Sequence, residues 1–187
     1  MAARERMLSA AMRLIQYQGV EATGVLQVLA EAHAPRGSLY HHFPGGKAQL
    51  VSEALELNAE QAIQVLQDVI DRTPDAAAAL HEFAEGLAAG LVSTDFQGGC
   101  PISTAVLEQA ATNDTLADIG DGAFDSLRMI VGDELRPLGV AEADDLALLC
   151  VAAFEGALIL ARAKRDVAPL HGVAQALTTC FERAGVA

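Results

Sequence analysis

The chain of 187 residues is long enough for one compact domain, or for a small domain joined to a larger one. Hydrophobic residues make up 52% of it and charged residues 20%, which excludes a wholly disordered polypeptide. With no tryptophan and only 4% aromatic residues, the core must consist mainly of alanine, leucine, valine and isoleucine. Because alanine and leucine are strong helix formers, this composition predicts an all-α fold.

Three short helices are predicted in the first fifty residues. Apolar residues recur at helical spacing over residues 8–15, and Gly19 ends this first helix. Thr23 is expected to cap a second helix, since its hydroxyl can accept a hydrogen bond from a free backbone N–H group. After a break, Pro35 is expected in the first turn of a third helix over residues 36–42, where no N–H group is needed.

Six further helices are predicted, and no strand-like alternation of polar and apolar residues interrupts them. Most of them begin at a capping residue or a proline, and the hydroxyl of Thr73 is expected to cap the fifth helix. Their predicted starts are Lys47, Thr73–Asp75, Pro101, Asn113–Asp114, Glu142 and Pro169. The sequence therefore predicts about nine helices in two domains, a small three-helix domain over residues 1–46 and a larger helical domain over residues 47–187.

The net charge of −13 is unevenly distributed along the chain. Residues 1–50 contain five cations and three anions, for a net charge of +2. Residues 51–187 contain seven cations and 22 anions, for a net charge of −15. A polyanion would therefore be tolerated only by the N-terminal segment, and the acidic remainder would repel it.

Several other classes of protein are disfavoured. The cysteines Cys100, Cys150 and Cys180 are odd in number and far apart, so we expect no disulfide framework, no metal site and a reducing cytoplasm. The charged N-terminus does not resemble a signal peptide. The most apolar window, residues 146–161, is short for a membrane span and contains Glu155, so we expect a buried helix and no membrane association.

The tight break between the second and third helices predicts a helix-turn-helix unit, whose last helix enters the major groove of DNA. Arg36 can pair with guanine or phosphate, while small residues beside it allow close approach to the duplex. Polar groups nearby can position the protein on phosphates. The predicted DNA contacts are Thr23, Gly24, Arg36, Gly37, Ser38, Tyr40, His41 and Lys47. Alternatively Tyr40 is a core aromatic residue, as Leu39 and Phe43 are expected to be core residues.

Residues 36–47, Arg-Gly-Ser-Leu-Tyr-His-His-Phe-Pro-Gly-Gly-Lys, resemble the helix-turn-helix signature of the TetR family of transcriptional regulators. Residues 98–102 and the Phe-Pro-Gly-Gly-Lys loop resemble the LmrA/YxaF-like branch of that family. The resemblance implies a homodimer, a helical C-terminal domain with a ligand pocket, and repression that a ligand relieves.

The sequence departs from the family pattern at several places, among them Leu29, where isoleucine is common. His33 stands where glycine is usual in the turn, so it is expected to adopt a positive φ that is strained for a residue with a side chain. Gly24 stands where serine is common, which removes one hydroxyl contact to phosphate. The loop before Lys47 is one residue longer than its commonest form.

Two apolar helices near the C-terminus predict dimerisation. A small domain gains burial if both helices join their copies in a four-helix bundle about a two-fold axis. The alternative is that both helices are internal core of a monomer. The predicted interface residues are Leu146, Leu149, Cys150, Ala153, Ala157, Leu160, Leu170, Val173, Leu177 and Phe181.

A pocket for a small hydrophobic or aromatic ligand is implied by the family resemblance. Apolar walls with a few polar anchors suit such a ligand. The candidate wall residues are Phe83, Leu87, Phe96, Cys100, Phe124, Leu127, Met129 and Phe154. The candidate anchors are His81, Glu108 and Glu155. The alternative is ordinary core packing for the aromatic residues and solvated positions for the charged ones.

These patterns together predict a DNA-binding regulator that binds a double-stranded operator as a homodimer, needs no cofactor and is not an enzyme. One alternative is a helical protein-interaction module with an acidic surface. Another is a small enzyme that uses Cys100 as nucleophile, with His81 or His171 as base. The sequence contains no phosphate-binding loop and no metal-ligand spacing, which disfavours catalysis.

Overall fold

The computed structural model describes residues 2–186, and within that range all regular secondary structure is helical. The nine α-helices are α1 (Ala3–Ala22), α2 (Val25–Glu31), α3 (Leu39–His42), α4 (Gly46–Arg72), α5 (Ala76–Ser93), α6 (Pro101–Gln109), α7 (Asp114–Leu135), α8 (Ala143–Lys164) and α9 (Ala168–Arg183). Short 3₁₀ turns at Arg36–Ser38 and Arg136–Leu138 precede α3 and follow α7. The predicted all-α fold is confirmed.

The chain forms two compact units. The first consists of the chain through Gln61 together with Cys100–Ala123, and the second of Ala62–Gly99 together with the chain from Phe124 onward. This division differs from the predicted boundary after residue 46. The first half of α4 contributes its buried side chains to the core of the N-terminal helices, and α6 packs against α1.

The core of the first unit is continuous. It is made by the apolar faces of several helices, none of which could bury its own face alone. Its largest buried side chains are Met7, Ile15, Val28, Leu39, Phe43, Leu50 and Leu55. Ala105 of α6 and Leu116 of α7 complete the same cluster. Side chains distant in sequence therefore hold the helix-turn-helix segment.

Caps set the starts of three helices. Asp75 caps α5, because its Oδ1 accepts from the N–H of Ala78 at 2.6 Å, and the expected threonine cap at Thr73 is wrong. Thr73 instead donates its hydroxyl to Glu82. Asn113 accepts from the N–H of Leu116 at 3.2 Å, as predicted for α7. Cys100 caps α6 through its Sγ, 3.4 Å from the N–H of Ser103.

In the second unit, α9 packs against both α5 and α8. Phe83 of α5 and Phe154 of α8 make an edge-to-face contact with ring centroids 5.2 Å apart. The guanidinium of Arg162 donates to the carbonyl oxygen of Gln97 at 2.8 Å and so ties the loop after α5 to α8. Asp95 and Phe96 of that loop both have positive φ, of 48° and 57°.

Helices α6 and α7 approach closely at Gly120. A Cβ at this position would lie 2.3 Å from Cγ2 of Val106, whereas a Cβ at Gly122 in the same helix would meet nothing within 4 Å. Substituting alanine for glycine normally stabilises a helix interior. At Gly120 the steric conflict with Val106 makes the same substitution destabilising.

We expect Gly120→Ala to lower the free energy of unfolding by about 1–3 kcal/mol because it overpacks the helix contact. Gly122→Ala should raise it by about 0.5–1 kcal/mol. Urea denaturation followed by circular dichroism measures both. Adding Val106→Ala should recover part of the Gly120→Ala loss, and a stabilised Gly120→Ala single variant would contradict the proposed contact.

Candidate DNA-binding interface

The turn between α2 and the third helix is compact. The chain reverses through His33, which has φ of 49°, and the N–H of Ala34 donates to the carbonyl oxygen of Leu29 at 2.9 Å. The positive φ predicted for His33 is therefore confirmed. A non-glycine residue tolerates this conformation only where the surrounding contacts hold it.

The recognition segment, residues 36–43, begins with a 3₁₀ turn rather than with α-helix. Pro35 stands at the cap position with an extended backbone, so its predicted place in the first helical turn is wrong by one residue. The hydroxyl of Ser38 donates to the carbonyl oxygen of Pro35 at 2.6 Å and closes the turn. Arg36 and Gly37 are exposed at its start.

Burial divides the recognition segment into two faces. Leu39 and Phe43 are buried in the core of the first unit, as their spacing predicts. Tyr40 is 70% exposed, and His41 is exposed beside it. Tyr40 is thus not a core aromatic residue. The exposed face presents a phenol, an imidazole and the guanidinium of Arg36, which are groups able to donate to phosphates and base edges.

The five cations of the first fifty residues have different surroundings. Arg4 pairs with Glu53 and lies over the ring of Phe43, with its guanidinium carbon 5.2 Å from the centroid. Arg6 donates to the carbonyl oxygen of Ala32, and Arg13 pairs with Glu31 at 2.8 Å. Lys47 donates to the carbonyl oxygen of Glu21 at 3.3 Å, and no ion pair involves Arg36 within residues 2–186. Arg36 and Lys47 therefore keep positive charge available at this surface.

Thr23 has a different role from the one predicted. Its side chain is only 2% exposed, and its hydroxyl donates to the carbonyl oxygen of Gly19 at 2.6 Å. The N-cap of α2 is Gly24, which is exposed and provides no side-chain cap. Thr23 therefore stabilises the bend between α1 and α2, and its expected hydroxyl contacts as a cap and with phosphate are wrong.

Glu108 of α6 was expected to anchor a ligand, but it contacts α1. Its Oε2 accepts hydrogen bonds from the N–H groups of Val20 at 2.8 Å and Glu21 at 3.2 Å. These partners lie 88 and 87 residues away in sequence. Only Gly19, a glycine inside a helical pattern, hints in the sequence at a special backbone geometry there.

Several ligand candidates lie in the second unit, where the structure brings Phe83 and Phe154 into contact. Leu87, Phe96, Phe124, Leu127 and Glu155 are half-buried. His81 and Met129 are exposed, so the prediction that they line an enclosed pocket is not supported by their positions. Cys100 caps α6, as described above, and lies in the first unit.

The cysteine and histidine side chains lie in different surroundings. Burial, with a smaller contribution from Cys180, raises the pKa of Cys150 to about 12, so its thiol stays protonated near neutral pH. His171 pairs with Glu85 at 3.1 Å on the surface. Within residues 2–186, no three histidine, cysteine or acidic residues are grouped to hold a metal ion.

The exposed apolar surface of α8 differs from the predicted dimer interface. Five predicted interface residues are buried within the chain and belong to its own core: Cys150, Ala157, Leu170, Leu177 and Phe181. Leu146, Ala153 and Val173 are half-buried. Four large apolar residues of α8 are exposed, and we call them the α8 stripe: Leu148, Leu149, Ile159 and Leu160. Helical periodicity cannot say which of two apolar faces a neighbouring helix covers.

Helix α8 is also long and apolar enough to cross a membrane, by length and composition alone. The core helix of a globular bundle meets the same criteria. One face of α8 packs against α9, and Asp144 and Asp145 stand in its first turn. These contacts favour a helix of a bundle.

Two family models match the chain. Residues 7–54 match the bacterial regulatory proteins of the tetR family, and residues 76–176 match the C-terminal domain of the LmrA/YxaF-like transcriptional regulators. The HTH-type transcriptional regulator LmrA of Bacillus subtilis is 31% identical over 182 residues, covering 96% of this chain and 97% of the relative. An uncharacterized HTH-type regulator of Mycobacterium tuberculosis, Rv0196, is 33% identical over 174 residues, covering 89% and 88%.

Solved structures share the fold. A regulatory protein TetR from Rhodobacter sphaeroides superposes with a TM-score of 0.85 at 22% identity, covering 94% of this chain and 96% of the other. A TetR transcriptional regulator from Chloroflexus aurantiacus gives a TM-score of 0.81 at 25% identity, covering 96% and 94%. With an exposed recognition segment on a helix-turn-helix core and full-length relatives of the same kind, this chain belongs to the TetR family of DNA-binding transcriptional regulators, in its LmrA/YxaF-like branch.

Proposed function

We propose that this regulator is a homodimeric repressor in the cytoplasm, which binds a palindromic operator and is released by a small hydrophobic or aromatic ligand. The main observation in support of the proposal is that the recognition segment has one buried face and one exposed face. Leu39 and Phe43 fix it to the core, while Arg36, Tyr40 and His41 remain exposed. A gel-shift assay on the region upstream of its own gene tests DNA binding directly.

The distribution of charge along the chain also favours DNA contact by the N-terminal segment, residues 1–50. The N-terminal fifty residues have a net charge of +2 in a chain of −13. Phosphates would attract this segment and be repelled by the remainder, which favours one orientation on the duplex. We expect Arg36 to reach base edges, and Tyr40, His41 and Lys47 to contact phosphates, with Gly37 allowing close approach.

The α8 stripe supports dimerisation. Its four large apolar side chains lie on one exposed helical face, at spacings of one, eleven and twelve residues from Leu148. The outer face of α9 carries small residues, Gly172 and Ala176, that permit close helix approach. A two-fold bundle of α8, α9 and their copies would bury both faces and would match the two-fold symmetry of paired half-sites.

Ligand release is proposed to act through α4. Residues 46–61 of this helix belong to the first unit and residues 62–72 to the second, so one helix connects them covalently. A ligand that binds the second unit near Phe83 and Phe154 would shift the population toward a dimer with the wrong half-site separation. This requires the ligand to bind that shape more tightly than the DNA-bound one.

We expect Lys47→Ala to weaken binding to all duplex sequences similarly. It should reduce the slope of log affinity against log salt by about 0.9 for each lost phosphate contact, hence about 1.8 for a dimer. Fluorescence anisotropy at several salt concentrations measures the slope. Lys164→Ala, the same change at the exposed end of α8, should leave it unchanged. An equal slope for both variants removes Lys47 from the contact surface.

If Arg36 reads a guanine, Arg36→Ala should cost about 1–3 kcal/mol and relax sequence preference at one position in each half-site. Arg36→Lys should keep phosphate attraction but lose the bidentate geometry, so it should relax preference with a smaller loss of affinity. Competition with single-base operator variants measures both. A uniform loss across the operator variants would make Arg36 a phosphate contact instead.

We expect Leu149→Arg to convert the dimer to a folded monomer, because Leu149 is 43% exposed on the α8 stripe. Sedimentation with circular dichroism separates assembly from folding. Leu107→Arg, on the exposed face of α6, should remain dimeric. Leu177 is buried, so Leu177→Arg should unfold the chain rather than only dissociate the dimer into monomers. A dimeric Leu149→Arg protein would refute the proposed interface.

A further inference from the structure

We propose that Glu108 is a positioning residue for DNA binding: from α6 it fixes the α1–α2 corner, residues 19–24, and thereby the DNA-contacting Lys47. The inference rests on the proposed function, since it concerns how the DNA-binding surface is held. It assigns to an acidic residue of α6 a role in DNA affinity without contact to DNA.

The backbone of the α1–α2 corner forms an anion-binding notch. Gly19 has φ of 83° and ψ of 175°, which breaks the helical path of α1. After this break, the N–H groups of Val20 and Glu21 converge on one oxygen of Glu108, at 2.8 and 3.2 Å. Backbone N–H groups that converge in this way favour negative charge, and a carboxylate accepts from them in charge-assisted bonds.

The notch fits the carboxylate closely. A Cβ on residue 19 would lie 1.8 Å from Oε1 of Glu108, so any residue other than glycine would force this carboxylate to move. The positive φ also favours glycine at the same position. Both constraints on Gly19 therefore serve a single arrangement, in which α6 inserts an acid into the bend of α1.

The same short segment is bound from its other side. The hydroxyl of Thr23 donates to the carbonyl oxygen of Gly19 at 2.6 Å. The ammonium of Lys47 donates to the carbonyl oxygen of Glu21, whose N–H group is bound to Glu108. Glu108 and Lys47 thus bind the two ends of one residue's backbone. A displaced corner would remove the partner that holds Lys47 at the start of α4.

If Glu108 acts only through its charge, its removal should change DNA affinity in one direction, and if it acts as a positioning residue, in the other. Removing a negative charge from the DNA-binding unit should strengthen binding to a polyanion if charge alone matters. Loss of a positioning contact should weaken it. Glu108→Asp keeps the negative charge. Because the aspartate side chain is shorter by one methylene, its carboxylate would no longer reach the N–H groups of the notch.

The experiment measures affinity and salt slope for the full-length protein on a labelled duplex from the region upstream of its own gene. We expect Glu108→Ala to bind about tenfold more weakly, despite losing a negative charge, with a slope reduced by about 1.8. Glu108→Asp should show the same changes to a smaller degree. Glu108→Gln should stay within about threefold of the wild type, because its amide oxygen can accept both bonds. Glu60→Ala, an exposed acid on α4, should bind equally or more tightly.

Two further results distinguish positioning from general stability. The double variant of Glu108→Ala with Lys47→Ala should have the salt slope of Lys47→Ala alone, because both act on one phosphate contact. A lower melting temperature with unchanged affinity and slope for Glu108→Ala and Glu108→Asp would overturn the inference and leave the proposed function standing. A wild-type protein that binds no duplex would overturn both.

Discussion

The DNA-binding surface depends on two buried side chains, Leu39 and Phe43. The α-helix that begins at Leu39 and ends just before Phe43 has only four residues, and a helix of that length is not stable by itself in water. Its position comes from burial of these side chains in a core built by α1, α2 and α4. Because successive residues of a helix point in different directions, the same burial forces Tyr40 and His41 outward.

That core extends beyond the helix-turn-helix. Helix α6 contributes Ala105 to it and binds the bend of α1 through Glu108. The candidate DNA-binding region is therefore held by a segment about 90 residues away in sequence. As a positioning residue, Glu108 would serve DNA binding although its charge alone would oppose it.

Much of the local structure was predictable because it depends on near neighbours. The turn at His33, the cap at Asn113 and the burial of Leu39 and Phe43 follow from spacing and side-chain chemistry within a few residues. Three other expectations differ from the structure. Thr23, expected to contact DNA, lies in the bend between α1 and α2. Glu108, expected to anchor a ligand, binds the backbone of α1, and Leu177, expected at the dimer interface, is buried in the core. Glu108 and Leu177 depend on partners that are distant in sequence and that no local pattern identifies, whereas Thr23 bonds to Gly19, whose break in the helix the spacing does not reveal.

The sequence by itself determined the helical fold, the helix-turn-helix and its family, because composition, hydrophobic period and a contiguous motif are local properties. Only the tertiary structure decided which polar groups face solvent, which face of α8 stays uncovered, and that α6 holds the α1–α2 corner. The physical reason is that burial and hydrogen-bond satisfaction are properties of what packs against a residue. Helices far apart in the chain supply those partners.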